Sequence, residues 1–100
     1  MSDRPEELSD LVIEVVDSIP AGRVMTFGAI ADYLGRGGPR GVAGVMARHG
    51  PEVAWWRVVR ADGTLPPYLM FDAQPHWLIE GTPIRHGIVD VRRALWQPDE

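Results

Sequence analysis

Apolar residues in the first fifth of the chain recur at helical spacing. Leu8, Leu11, Val12, Val15, Val16 and Ile19 fall at i, i+3, i+4, i+7, i+8 and i+11. This predicts an amphipathic helix over about residues 5–18, ended by Pro20. Its other face carries Asp10, Glu14 and Asp17, so it is expected to point away from any phosphate. Ala21-Gly22-Arg23 turns the chain, and Val24-Met25 reads as a short extended piece. Thr26 is placed to cap a second helix through its hydroxyl, with Phe27, Ile30, Tyr33 and Leu34 as its apolar stripe and Gly35 just past its end.

Pro39 then stands where a third helix begins, running to about residue 49. At 100° per residue, Val42, Val45 and Met46 share one side. Arg40, Ala43, Gly44 and Ala47 share the opposite side, flanked by Arg48, and that side is nearly bare. A solvated helix face normally carries long polar residues. Gly41 and Gly44 each cost the helix roughly 1 kcal/mol against alanine. Small residues allow close approach to another surface, which is either a neighbouring helix or a DNA groove; helix, glycine-containing turn and helix is the motif that enters grooves.

Beyond Gly50-Pro51, the segments Arg57–Arg60 and Thr64-Leu65 read as two strands around the Asp62-Gly63 turn signal, closed by Pro66-Pro67. A hairpin after a helix-turn-helix is a wing. Asp72 is positioned to cap a short helix through Trp77-Leu78-Ile79, stopped by Gly81. Ile88–Val91 reads as a short edge strand, while Arg92, Arg93 and Trp96 have no evident place. The expected fold is mainly α with a small β wing: one domain over residues 1–100, with a helix-turn-helix at about 26–49 and a wing at about 57–65.

Composition narrows the function. The 100 residues contain no cysteine, which rules out disulfides and thiolate metal sites. His49, His76 and His86 show no metal spacing, and no phosphate loop, catalytic triad or zinc motif is present, so no cofactor or metal is expected. No apolar run approaches the roughly 18 residues of a membrane span, and the N-terminus (Met1 to Glu7) is polar and acidic, unlike a signal peptide. A cytoplasmic protein without membrane partners is expected.

The net charge of −4 argues mildly against nucleic acid, but its distribution matters more. Residues 1–32 hold two Arg against seven acids, whereas residues 33–65 hold five Arg against Glu52 and Asp62. All ten basic residues are arginine. Codon bias of a GC-rich genome is the first explanation; the functional one is the suitability of planar guanidinium for stacking and bidentate contacts.

Four blocks carry a family resemblance. Ile19-Pro20-Ala21-Gly22-Arg23-Val24-Met25-Thr26-Phe27-Gly28-Ala29-Ile30-Ala31 matches Ile-Pro-x-Gly-x-Val-x-Thr-Tyr-Gly-x-Ile-Ala, and Pro39–Met46 is the second block. The third runs from Val53 to Gly63, with Ala54-Trp55-Trp56-Arg57-Val58 set against Pro-Cys-His-Arg-Val; the fourth is Gly63-Thr64-Leu65 through Tyr68. In order and spacing the chain resembles the O6-alkylguanine-DNA alkyltransferases over about residues 8–81. In that family the Cys accepts the alkyl group and the His activates it; here Trp55 and Trp56 hold those places. A thiolate does that chemistry, so alkyl transfer to sulfur is excluded. The chain therefore resembles the alkyltransferase-like relatives, which bind lesions without repairing them.

The resemblance implies roles residue by residue. Arg40 matches the arginine that enters the duplex through the minor groove and replaces the flipped nucleotide; the alternative is a solvated arginine at a helix start, which the helix dipole disfavours. Phe27 stands where the family has a Tyr that acts on the neighbouring phosphate, keeping the steric push and losing the hydrogen bond; packing in the core is its other reading. Thr26, Phe27, Arg40, Ala43, Gly44, Ala47 and Arg48 form the expected DNA-binding set. Trp55, Val58, Asp62, Gly63 and Tyr68 form the expected lesion pocket. Trp56, at the His position, reads first as core, with an indole N–H that then needs a partner. Glu80 resembles the Glu that orients the family's His and is free to pair with Arg57 instead. Ala54 replaces a Pro, and the loop before it is shorter than in active enzymes.

The implied function is recognition of O6-alkylguanine in duplex DNA by nucleotide flipping, by a monomer, with hand-off to nucleotide excision repair proteins. Two rivals stand beside it. One is a winged-helix domain drifted to protein interaction or regulation with weak DNA binding, given the charge of −4 and Phe27; the other is an enzyme with a different nucleophile.

Overall fold

The apolar spacing at 8–19 produces α1 (Pro5–Ser18) in a computed structural model that describes residues 5–99. Residues 1–4 and 100 lie outside the described residues, and with them part of the polar N-terminus read above. Val12 and Val16 of α1, with Ile19 just past its end, are buried against Ile30 of α2 (Phe27–Leu34) and Val42 and Val45 of α3 (Gly38–His49). Thr26 caps α2 as expected, its hydroxyl accepting from Ala29 N at 3.0 Å, and Gly35 ends it. In α3, burying Val42 and Val45 completely contributes roughly 1.5–3 kcal/mol each, which outweighs the two interior glycines. Gly41 faces α1, where a Cβ would lie 3.5 Å from Leu8.

The β structure is small, and its pairing differs from the expected wing. Val58-Val59 forms β2, but it pairs in parallel with β1 (Met25–Thr26), in the register Met25 to Val58 and Thr26 to Val59. Thr64-Leu65 is not a strand; one ladder-like bond, Arg60 N to Thr64 O at 2.9 Å, closes the turn. The reason is that Val58 and Val59 are both buried. A strand covered on both faces reads as a continuous apolar run and belongs to a parallel pair, whereas the Asp-Gly signal favoured a local hairpin.

The fourth helix also begins earlier than expected. α4 spans Pro67–Glu80, so Asp72 sits in its interior and is not its cap. Pro67 occupies the first turn, where a missing N–H is tolerated, and Gly81 terminates the helix. Ala73 and Trp77 bury one face with Val24, Val59, Leu65, Val89 and Ala94 in a second core cluster, while Phe71, Leu78 and Ile79 leave the opposite face exposed. Phe27 packs against both clusters and joins them.

At the end of the chain, β4 (Ile88–Val89) pairs antiparallel with β3 (Ile84–Arg85), and α5 (Val91–Ala94) follows. The expected edge strand is thus two residues shorter, with Val91 already helical. The segment that sequence could not place is tied to the residues just before β1. Val24 N donates to Ala94 O at 3.0 Å, Trp96 N donates to Val24 O at 2.8 Å, and the Arg23 guanidinium donates to Ala94 O and Leu95 O.

Candidate nucleic-acid interface

The bare side of α3 is not packed on a neighbouring helix. Arg40, Ala43, Ala47 and Arg48 are all exposed, and Arg40, Ala43 and Ala47 form one wall of an open pocket of about 640 Å³. The turn Trp55–Arg57 with β2 forms the facing wall, and the start of α4 closes the end. Phe27, Arg40, Ala43, Ala47, Trp55, Val58 and Tyr68, seven of the residues singled out from sequence, line this one pocket. Five do not. Thr26 is engaged as the α2 cap, while Gly44 and Arg48 lie off the lining. Asp62 turns back on Thr64, accepting from its backbone N–H at 3.1 Å and its hydroxyl at 2.6 Å. The hydrogen bond from the Thr64 hydroxyl holds the Asp62 carboxyl below its ordinary range. Gly63 is buried at φ 85°, and a Cβ there would collide with the Val89 carbonyl, so its role is to bring the turn onto β4.

Trp55 is half-buried and its ring meets two others edge-on: Trp56 at 5.7 Å between centroids and His76 at 6.0 Å. Trp56 points away from the pocket and stacks on His76, 3.6 Å apart and 8° from parallel. Such offset or stacked aromatic pairs add roughly 0.5–1.5 kcal/mol beyond burial. Behind Trp56, Glu80 gathers four donors. Its Oε2 accepts from Trp56 Nε1 at 3.0 Å and from Arg57 Nη2 at 2.7 Å; its Oε1 accepts from Arg57 Nε at 3.1 Å and from Gly22 N at 3.2 Å. Arg57 Nη1 also donates to Ile19 O at 2.9 Å. Glu80 thus pairs with Arg57, as expected, and also supplies the partner that the Trp56 indole needs. Burial works to raise its carboxyl, but the bonds from Arg57, Trp56 and Gly22 together outweigh it and hold the group below the ordinary glutamate range. Gly22 is needed here: at φ 86° a Cβ would lie 2.9 Å from the Glu80 carbonyl oxygen. This network fixes the turn that carries Trp55.

Sequence reasoning missed part of the lining. Arg60, Leu65, Leu69 and Asp72 contribute to it, and His76 supports Trp55 from outside. Two of these had a signal. Arg60 lies two residues beyond Val58, on the same side of an extended segment, and Asp72 lies one helical turn beyond Tyr68. Apart from Arg40, Arg60 and Asp72 the lining carries no charged side chain. Among the described residues no group of His, Asp and Glu is arranged to hold a metal ion, and no helix is long and apolar enough to cross a membrane.

Comparison with known proteins agrees with this geometry. Residues 7–81 match the family described as 6-O-methylguanine DNA methyltransferase, DNA binding domain. The chain therefore belongs to that family, on its alkyltransferase-like branch. Two solved structures are similar over nearly the whole chain. One is S. pombe Atl1 in complex with damaged DNA containing O6-carboxymethylguanine, 28% identical with a TM-score of 0.83, covering 95% of this chain and 99% of that one. The other is S. pombe ATL in complex with DNA, 29% identical with a TM-score of 0.81 and the same coverage. No curated protein shows a significant match to the chain.

Proposed function

We propose that this protein recognises O6-alkylguanine in duplex DNA without repairing it. The flipped base enters the pocket, its alkyl group abuts Trp55, Arg40 fills the vacated place in the stack, and the marked site passes to nucleotide excision repair. The observation that carries the reading is the junction of α3's exposed bare face, led by Arg40, with an apolar pocket whose wall holds Trp55. A guanidinium plane stacks on bases and stays charged, and flipping costs a few kcal/mol that such a contact offsets. Trp55 offers the alkyl group an apolar ring where the family has its acceptor thiol. That two similar chains are seen in complex with DNA, one of them with DNA containing O6-carboxymethylguanine, supports DNA as the partner. To test it, the protein is incubated with an O6-methylguanine duplex and the DNA is recovered and analysed by mass. The protein should be retained on the duplex and the methyl group should remain on the base; loss of the methyl group would contradict the reading.

The Trp55→Cys variant should not gain alkyl transfer. A free thiol near pKa 8.5 is mostly protonated at neutral pH. The Trp56 indole, in the place of the family's His, already donates to Glu80 and has no basic nitrogen to accept a proton. The imidazole adjoining Trp55, that of His76, lies flat on the Trp56 ring. Mass spectrometry of the variant after incubation with an O6-methylguanine duplex should show no added methyl group. A stoichiometric gain of one methyl would mean that Trp55 alone separates this protein from an enzyme.

Salt should weaken DNA binding only moderately. Of the five arginines in 33–65, Arg57 is tied to Glu80 and Arg36 is also engaged, which leaves at most Arg40, Arg48 and Arg60 for phosphates. The counterion slope scales as about −0.9 per neutralised phosphate, so a log–log slope no steeper than about −3 is expected. A slope near −10 would contradict this charge map.

A further inference from the structure

We propose that Arg60 reads the charge of the adduct, so that the pocket prefers an O6 group ending in a carboxylate over a neutral group of the same shape. The inference rests on the lesion-binding reading of the pocket. Three charged side chains line the pocket: Arg40, Arg60 and Asp72. Arg40 starts α3 and is assigned to the DNA stack. Arg60 belongs instead to the wall that carries Trp55, where the end of the adduct is placed. Val58 and Arg60 both line the pocket, while Val59 between them packs in the second core cluster. That alternation is what an extended segment imposes on its side chains, and it aims Arg60 at the same space as Val58.

The base of this side chain is fixed. Arg60 N donates to Thr64 O at 2.9 Å, and its carbonyl accepts from Gly63 N at 2.8 Å. Gly63 is in turn bonded to Val89, whose N–H donates to its carbonyl at 3.1 Å. At the other end, the guanidinium makes no hydrogen bond or ion pair with the described residues. The nearby carboxylate, Asp62, attracts Arg60 without bonding to it, because its own bonds go to Thr64. Five N–H donors in a planar fork, with no acceptor among them, therefore face a largely apolar pocket. A methyl group gives these donors nothing, whereas a carboxylate accepts two of them side by side. Asp72, on the α4 side of the same pocket, opposes an anion there and weakens the preference without cancelling it. A DNA phosphate is the other source of anionic oxygen that Arg60 could take, and the two are separable.

The test uses four duplexes of one sequence, carrying guanine, O6-methylguanine, O6-carboxymethylguanine or its neutral amide, O6-carbamoylmethylguanine. Wild-type protein should bind the carboxylate tighter than the amide by about fivefold, the scale of an exposed charge pair of good geometry. Arg60→Gln should bring that ratio to one or below, since Asp72 remains, with O6-methylguanine binding losing less than carboxylate binding and the thermal melt unchanged. Asp72→Asn should widen the ratio. Equal binding of carboxylate and amide by wild type would overturn the assignment. So would an Arg60→Gln loss spread evenly over all four duplexes, with a shallower salt slope, which is the signature of a phosphate contact. If none of the three adducts is preferred over guanine, the underlying lesion-binding reading fails instead.

Discussion

Glu80→Ala is expected to destabilise the fold by about 3 kcal/mol, the lower end of the range for breaking a buried ion pair. The lower end applies because both partners keep some exposure, 20% for Arg57 and 12% for Glu80. The substitution removes the acceptor for Arg57, Trp56 and Gly22 at once, leaving the Arg57 guanidinium with the Ile19 carbonyl. In a domain of this size the melting temperature should fall by roughly 12–24 °C. Glu80→Gln keeps acceptor oxygen without the charge and should fall between. The effect also depends on pH. The folded state holds the Glu80 carboxyl below its ordinary value, so the unfolded chain takes up the proton more readily. The stabilisation is complete above about pH 4.3, the ordinary glutamate value, and is lost as pH falls through the lower folded value. Wild type and Glu80→Gln should therefore differ in melting temperature at pH 7 and converge in acid. A pH-independent gap, or a Glu80→Ala melt within about 3 °C of wild type, would remove Glu80 from its place at the centre of this network.

Arg40→Ala is expected to cost lesion binding on the order of 1–3 kcal/mol, the loss of one stacking contact on DNA, or roughly 5- to 150-fold in affinity. Arg40 is exposed at the start of α3 and lines the pocket, so its removal should leave the thermal melt unchanged. Arg40→Lys keeps the charge but loses the plane, and should recover phosphate attraction without recovering lesion preference. Fluorescence anisotropy with lesion and plain duplexes checks both variants. Unchanged affinity of Arg40→Ala for the lesion duplex would favour the rival reading, an interaction module, for which the exposed apolar face of α4 is the natural surface.

The three-helix part of the fold was legible because each signal was local. The stripe from Leu8 to Ile19, the Thr26 hydroxyl and Gly35 each act within one turn of the chain, and α1 and α2 form where they direct. Within the winged-helix fold, the pairing of Val58-Val59 is not legible in the sequence, because the Asp62-Gly63 signal is local while the partner, Met25-Thr26, lies more than thirty residues away. α4 was shortened for two reasons. Its apolar residues lie on both faces, with Ala73 and Trp77 in the core and Phe71, Leu78 and Ile79 outside, so no single stripe marks it. Its opening proline was also read as the end of the preceding turn.

For the candidate site, the family resemblance located the residues that meet at the pocket, Arg40, Trp55 and Tyr68 among them. It did not reveal Arg60 or Asp72, because their place depends on how β2 and α4 close around the pocket. The Glu80 network was half legible: the charge partner Arg57 was expected, while the Trp56 indole and the Gly22 N–H joined through folding.

The most direct test of lesion recognition is an equilibrium titration of the wild-type protein against two duplexes that differ only by a methyl group on one guanine O6, at a single stated salt concentration. The account predicts tighter binding to the methylated duplex, by at least about tenfold, or 1.4 kcal/mol, with the preference lost in Arg40→Ala. Equal affinity for the two duplexes, or no binding to either at low salt, would contradict it.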